Sequence, residues 1–425
     1  MKSLTSTARQ RTGRSPAQAV GGKHPRIALA LAGGGPLGAI YEIGALCALQ
    51  EALPGLDFNA LDHYIGVSAG GFIAASLANG ITPRQLCNAF IEGDTGSSDY
   101  FDPAWLMVPA WGEFSRRAIM TPGVVGSALW RFALGSKSIT AFWERLGPAL
   151  PTGVFSSDQV HVQLQRLFSQ PGRTNDFRQL RSKLTLVATN LDSGEAAPFG
   201  RPGWDHVPIS RAVQASASLP GLFPPVEIDE HYYVDGALKK TMHASVALDD
   251  GADLLLCLNP LVPFNATEPS GPTGIPRIVD GGLPAVLSQT FRSMIHSRMA
   301  LGMKHYERAY PQADIVLFEP DPRDTQWYLA NTFSYSQRRQ LAQHAYTYTR
   351  QWLLTHRATL QPKLARHGVQ IDMAALQDPS RPLLAAASPS LLRLKTGAVA
   401  PAAELHAVLD RLSGKLPTRQ TLSQG

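Results

Sequence analysis

Two kinds of apolar pattern alternate along the first ninety residues. Residues 26–32, RIALALA, form a short continuous run of the sort buried on both faces of a parallel sheet. From Gly38 the period lengthens. Ile40, Ile43, Leu46, Leu49 and Leu53 recur every three or four positions, one face of a helix that Pro54-Gly55 ends. Residues 63–67 predict a second strand, and Ser68 opens a helix of small residues, among them Ala69, Gly70, Gly71 and Ala74, closed by Asn79-Gly80. Thr82, a capping residue followed by Pro83, starts another helix towards Phe90. Strand, helix, strand, helix predicts a parallel sheet with right-handed crossovers.

The rhythm breaks over residues 93–150 and then resumes. Strands are expected at 184–190, 254–258 and 315–318, with a short hairpin turning at Asp229-Glu230 and ending in residues 232–234. Helices are expected over 210–218, 284–310 and 337–356. The fold class is α/β, a central, mostly parallel sheet flanked by helices. No internal repeat is present. The break at 93–150 carries Trp105, Trp111, Trp130 and Trp143 with several Phe and Tyr, an inserted segment that either caps a cleft or packs its own helices. The expected organisation is a disordered basic arm over 1–25, the main domain over 26–320, a helical extension over 321–375 and a weakly structured Ala/Pro/Ser-rich tail over 376–425.

Composition narrows the picture. Of 425 residues, 44% are hydrophobic and 17% charged, enough to bury a large core and too little charge for a coiled coil or a disordered chain. The net charge of +6 is equalled by Lys2, Arg9, Arg11, Arg14, Lys23 and Arg26, which stand in an N-terminal stretch without Asp or Glu. The remainder balances to zero, so the basic pI describes an arm and not a nucleic-acid groove. Residues 27–49 are largely apolar, but Gly33, Gly34, Gly35 and Pro36 interrupt them, so a strand, a turn and a helix are expected there and no membrane span. Without a signal-peptide pattern the expected location is cytoplasmic. Cys47, Cys87 and Cys257 are too few and too scattered for a disulfide framework or a zinc site. No metal or cofactor is expected.

Two glycine-bearing turns carry the candidate chemistry. Gly33-Gly34-Gly35-Pro36-Leu37-Gly38 lies between strand and helix, where unpaired helix-start amides receive something negative. Gly66-Val67-Ser68-Ala69-Gly70 is a G-x-S-x-G at a strand-to-helix junction, the nucleophile elbow that holds a serine oxygen clear of a sheet. Serine needs a base. Asp235, followed by Gly236 and Ala237 at a strand end, is the candidate, provided that burial raises its pKa.

The GGGxxG turn, GVSAG about thirty residues later and DGA well downstream together resemble the patatin-like phospholipase family. The run SASLPGLFPPVEIDEHYYVDGA, residues 216–237, is similar to that family's approach to its aspartate. The likeness covers roughly residues 26–260, extending towards 320. It implies a three-layer patatin-like fold, Ser68 as nucleophile and Asp235 as proton acceptor of a dyad without histidine. It further implies an oxyanion hole from Gly33, Gly34 and Gly35 with Ala69, and cleavage of fatty-acyl esters of glycerolipids through an acyl-enzyme. The implied partners are acyl-ester lipids, with peripheral contact to a lipid surface and no nucleic acid. One departure stands out: Leu37 occupies a position where the family often has Arg or Lys, which removes a cation suited to a phosphate headgroup.

Three rivals remain open on sequence alone. An NAD-binding unit would use Asp57, near the spacing such units need, for the ribose. An α/β-hydrolase triad would recruit His243, His296 or His305 after Asp235. A non-catalytic lipid-binding protein would keep the fold without the nucleophile.

Overall fold

The computed structural model describes residues 24–93, 108–119, 121, 150–271, 277–328, 330, 335–378 and 381–383. The basic arm, most of the aromatic-rich segment and nearly all of the C-terminal tail lie outside them. Among the described residues, eight strands form one mixed sheet: β1 (Ile27–Leu31), β2 (His63–Val67), β3 (Lys183–Asn190), β4 (Ala196–Phe199), β5 (Val226–Ile228), β6 (His231–Asp235), β7 (Leu254–Leu258) and β8 (Asp314–Phe318). The order is β5-β6-β3-β2-β1-β7-β8, with β4 also on β3. Strands β3, β2, β1, β7 and β8 run parallel, whereas β4, β5 and β6 join through antiparallel pairs. The expected mostly parallel α/β sheet is present.

Alternation along β1 shows the three layers. Ile27, Leu29 and Leu31 enter one apolar cluster, and Ala28, Ala30 and Ala32 enter another on the opposite face. The first face is covered by α1 (Gly35–Ala52), α2 (Ala69–Ala78), the short α3 (Pro83–Leu86), α4 (Asp158–Phe168) and α5 (Ile209–Ser216). The second receives α6 (Ser245–Asp249) and Met299 of α7 (Gly282–Ala309). Helices α8 (Tyr335–Thr355) and α9 (Arg357–Ala365) share the first core with α1.

Several boundaries differ from the sequence reading. Helix α1 starts at Gly35, with Pro36 in its first turn, where no N–H is needed. Beyond α3 the chain continues as a π-helical turn, Cys87–Glu92, stopped by Gly93 in the left-handed region. Strand β4 was not expected. It contains Pro198, which β4 tolerates because it pairs only with β3. The 229–230 hairpin forms as expected, both residues taking positive φ.

The sheet register brings two distant strand ends together. Residues Lys183–Val187 of β3 pair with β2, whose Val67 lies opposite Val187. The next residue, Ala188, lies opposite Asp235 of β6. Strand β4 occupies the other edge of β3 over Leu186–Thr189, so β2 and β6 must share one edge. They meet there C-terminus to C-terminus.

Candidate active site

Ser68 follows β2 and caps α2 with φ 54° and ψ −124°, a left-handed conformation that costs a non-glycine residue roughly 1–3 kcal/mol. The flanking glycines make the turn possible. A Cβ on Gly66 would lie 2.5 Å from Gly71 Cα, and one on Gly70 would lie 2.5 Å from the Ala32 carbonyl oxygen. Ser216, at the end of α5, locks the elbow. Its hydroxyl donates to the Val187 carbonyl at 2.6 Å and accepts the Ser68 N–H at 2.8 Å. In the sequence Ser216 opens the run that leads to Asp235, and no spacing marks it out. Its signal is only a small polar residue on an otherwise buried helix face.

Asp235 ends β6 and is 3% exposed. Its main-chain N–H donates to the Ser218 carbonyl, and its carboxylate accepts the Ala237 N–H at 2.8 Å. The Ser68 hydroxyl donates to the same carboxylate. Burial pushes the Asp235 pKa up from 3.8 to about 6, and the Ala237 and Ser68 hydrogen bonds offset part of that rise. The carboxyl therefore stays mostly ionised at neutral pH yet is far more basic than a solvated aspartate. Gly236 is required by packing, since a Cβ there would come within 2.1 Å of the Val187 carbonyl oxygen.

The glycine loop closes the third side. A Cβ on Gly33 would lie 3.1 Å from Ser68 Cβ and 3.8 Å from its Oγ, so the loop passes directly beside the hydroxyl. Gly34 packs under Pro260 and returns its carbonyl to the Gly38 N–H at 2.9 Å, while Gly35 opens α1 with φ 60°. Among the described residues, the N–H groups of Gly34, Gly35 and Ala69 have no backbone acceptor, the condition in which the first turn of a helix leaves its donors. Two helix starts, α1 and α2, thus converge on Ser68, and their dipoles favour negative charge there. Leu37, the departure from the family pattern, is buried in the apolar cluster behind this loop.

Glu42, on α1, is fully buried, beside the Ala32 backbone. Burial drives its pKa well above the ordinary carboxylate range.

The rival residues lie elsewhere. Asp57 sits beyond the far end of α1, roughly 27 Å of helix away from the glycine loop, and accepts the Asn59 N–H in a turn. His296 pairs with Glu319 at 3.5 Å, and His305 lies edge-on to Tyr306. His243 is buried beside the Gly236 carbonyl, with its pKa lowered to about 3 by burial and by the Lys240 charge. Among the described contacts none of the three touches Ser68 or Asp235. A cleft of about 420 Å³ opens at the opposite ends of β1, β2 and β3, where Lys183 and Arg201 already neutralise Asp250. Among the described residues, no cluster of three His, Cys, Asp or Glu side chains has a metal-binding arrangement.

Several known proteins are similar to this chain. An uncharacterised protein of Acanthamoeba polyphaga mimivirus is 24% identical over 232 residues, 53% of this chain and 62% of its own. A protein of Invertebrate iridescent virus 6 described as a probable lipid hydrolase is 20% identical over 221 residues, 51% and 61% respectively. The chain thus spans about three-fifths of the length of these curated relatives. VipD from Legionella pneumophila is a solved structure with 18% identity, covering 79% of this chain and 67% of its own, at a TM-score of 0.38. The model of the patatin-like phospholipase family matches residues 29–248, the stretch that contains the glycine loop, the elbow and Asp235. The chain belongs to the patatin-like phospholipase family.

Proposed function

We propose that the protein is a serine acyl hydrolase that cleaves fatty-acyl esters of glycerolipids through Ser68 and Asp235. The observation that carries this reading is the Ser68 hydroxyl donating to a buried carboxylate whose pKa stands near 6. Asp235 takes the Ser68 proton as the oxygen attacks the ester carbonyl, and the C–O bond to the leaving alcohol breaks as that proton passes to it. The tetrahedral oxyanion is met by the amides of Gly33, Gly34, Gly35 and Ala69; Pro36 has no N–H to offer. Loss of one such donor typically costs about 10²–10³ in rate. Water, deprotonated by Asp235, then releases the fatty acid from the Ser68 ester.

Ser68→Ala and Asp235→Ala, each assayed on a chromogenic medium-chain ester, test the assignment. Both are expected to lose hydrolysis. Turnover persisting in both would refute it.

A further inference from the structure

Helix α7 is held firmly on one side. Its Ile295 packs against Val67, Val187 and Ala237, the residues around the elbow and the turn after Asp235. Thr241 Oγ1 donates to the Ile295 carbonyl, Arg298 Nη1 donates to the Leu238 carbonyl at 2.8 Å, and Gln289 exchanges two hydrogen bonds with the Phe264 backbone. Met299 is buried in the core beneath the sheet. These contacts fix which face of the helix turns outward.

That outward face is apolar over its first turns and cationic over its last. Leu283 is 70% exposed and Leu301 67%, with Leu287, Phe291 and Met294 exposed between them. At 3.6 residues per turn, Leu283, Leu287, Met294 and Leu301 fall within an arc of roughly 40°. A contiguous row of large apolar side chains in water is uncommon on a soluble surface and marks a contact. Towards the C-terminus, Lys304 and Arg308 are exposed, and Glu307 is the sole acid within the helix. Lys240, on the turn that α7 grips, is exposed as well.

We infer that this face seats the protein on an anionic lipid bilayer, with Leu283, Leu287, Phe291 and Met294 entering the acyl boundary and the cations on the headgroups. The choice of partner rests on the acyl-hydrolase reading above. Its chemistry rests on the helix itself: apolar residues and cations along one stripe match a surface that is hydrocarbon just below a layer of negative charge. A second copy of the chain fits poorly. Paired antiparallel over its full length, the stripe would set Leu283 against Arg308. Paired parallel, it would set like charges together. The placement also serves the chemistry, since α7 touches the elbow and the turn after Asp235, and so puts the lipid surface about one helix diameter, ~10 Å, from them.

Flotation of the full chain, carrying Ser68→Ala so that no lipid is consumed, on phosphatidylcholine vesicles with and without phosphatidylglycerol tests the inference. The parent is expected to bind the anionic vesicles and to release them at high salt. Leu283→Ser/Leu287→Ser/Met294→Ser and, separately, Lys304→Glu/Arg308→Glu should each weaken binding by about tenfold or more. In the Ser68 background the same sets should leave hydrolysis of a soluble butyrate ester unchanged, which shows that they fold. Parental binding by either variant, no binding by the parent, or a parental dimer in sedimentation that the apolar set dissociates would overturn the proposal. Because the Ser68→Ala protein reports binding without turnover, docking and ester hydrolysis can fail independently.

Discussion

A serine hydroxyl is nearly inert at neutral pH, so what Ser68 can do depends on the acid that takes its proton. In the proposed mechanism that acid is Asp235, whose pKa burial lifts to about 6. The rate of ester cleavage should therefore be flat above pH 7 and fall about tenfold per unit below pH 6, as the base becomes protonated. The same shift is a stability term of opposite sense. A folded pKa raised above the unfolded one favours folding at low pH, fully below about 3.8, and that contribution is lost as pH rises through about 6. Asp235→Asn should then be more stable than the parent by about 3 kcal/mol at pH 8, with the gain vanishing near pH 4; urea melts at the two pH values measure it. Ser216→Ala removes the acceptor of the Ser68 N–H and a donor to Val187. It should cost about 1–3 kcal/mol in the same melts and lower kcat more than it raises KM, because it loosens the elbow without touching substrate. Ser68 and Asp235 stand out in the sequence as candidates, since the G-x-S-x-G and Asp-Gly-Ala patterns single them out. Ser216 and Glu42 do not, because a buried serine or glutamate carries no spacing that separates it from solvent-facing neighbours.

At the scale of elements, glycine placement does most of the positioning. Helix α1 carries the glycine loop at its N-terminus and lies against α8 through Gly44, where a Cβ would come within 2.6 Å of the Ala342 carbonyl oxygen and 3.0 Å of Ala345 Cβ. Gly44→Val should force the two helices apart and destabilise the protein by about 3 kcal/mol or more, lowering its thermal midpoint. Gly33→Ala, at a wider spot, should leave the fold intact and reduce kcat by about 10²-fold, because its methyl group would crowd Ser68 and shift the loop's donors. Circular dichroism alongside the ester assay separates the two cases. Strands β1, β2 and β7 were readable because strands buried on both faces are continuous apolar runs. Strand β4 was not, since its four residues include a proline and show no alternation. The π-helical turn after α3 has the same apolar spacing as a continued helix, so the pattern could not announce it.

For the whole molecule, the decisive feature is the head-on meeting of β2 and β6 along one edge of β3. Composition and periodicity establish that there is a parallel sheet, and the family likeness supplies the pairing of Ser68 with Asp235. Neither reveals that Val187 and Ala188, adjacent in β3, face Val67 and Asp235. That register is a long-range property set by packing on both faces, and the chain's local patterns do not encode it. The charge distribution shows a similar division. The sum of +6 could be traced to residues 2–26 by counting, but the cationic end of α7 emerges only once the helix has an inside and an outside. The central claim is that the Ser68 oxygen is a nucleophile made reactive by Asp235. Its most direct test is the rate of covalent capture by a fluorophosphonate probe, followed across pH with the modified peptide identified by mass spectrometry. Capture at Ser68 with an inflection near pH 6, lost in Asp235→Asn, is the expected result. Capture at another residue, or Asp235→Asn reacting at the parental rate, would contradict it.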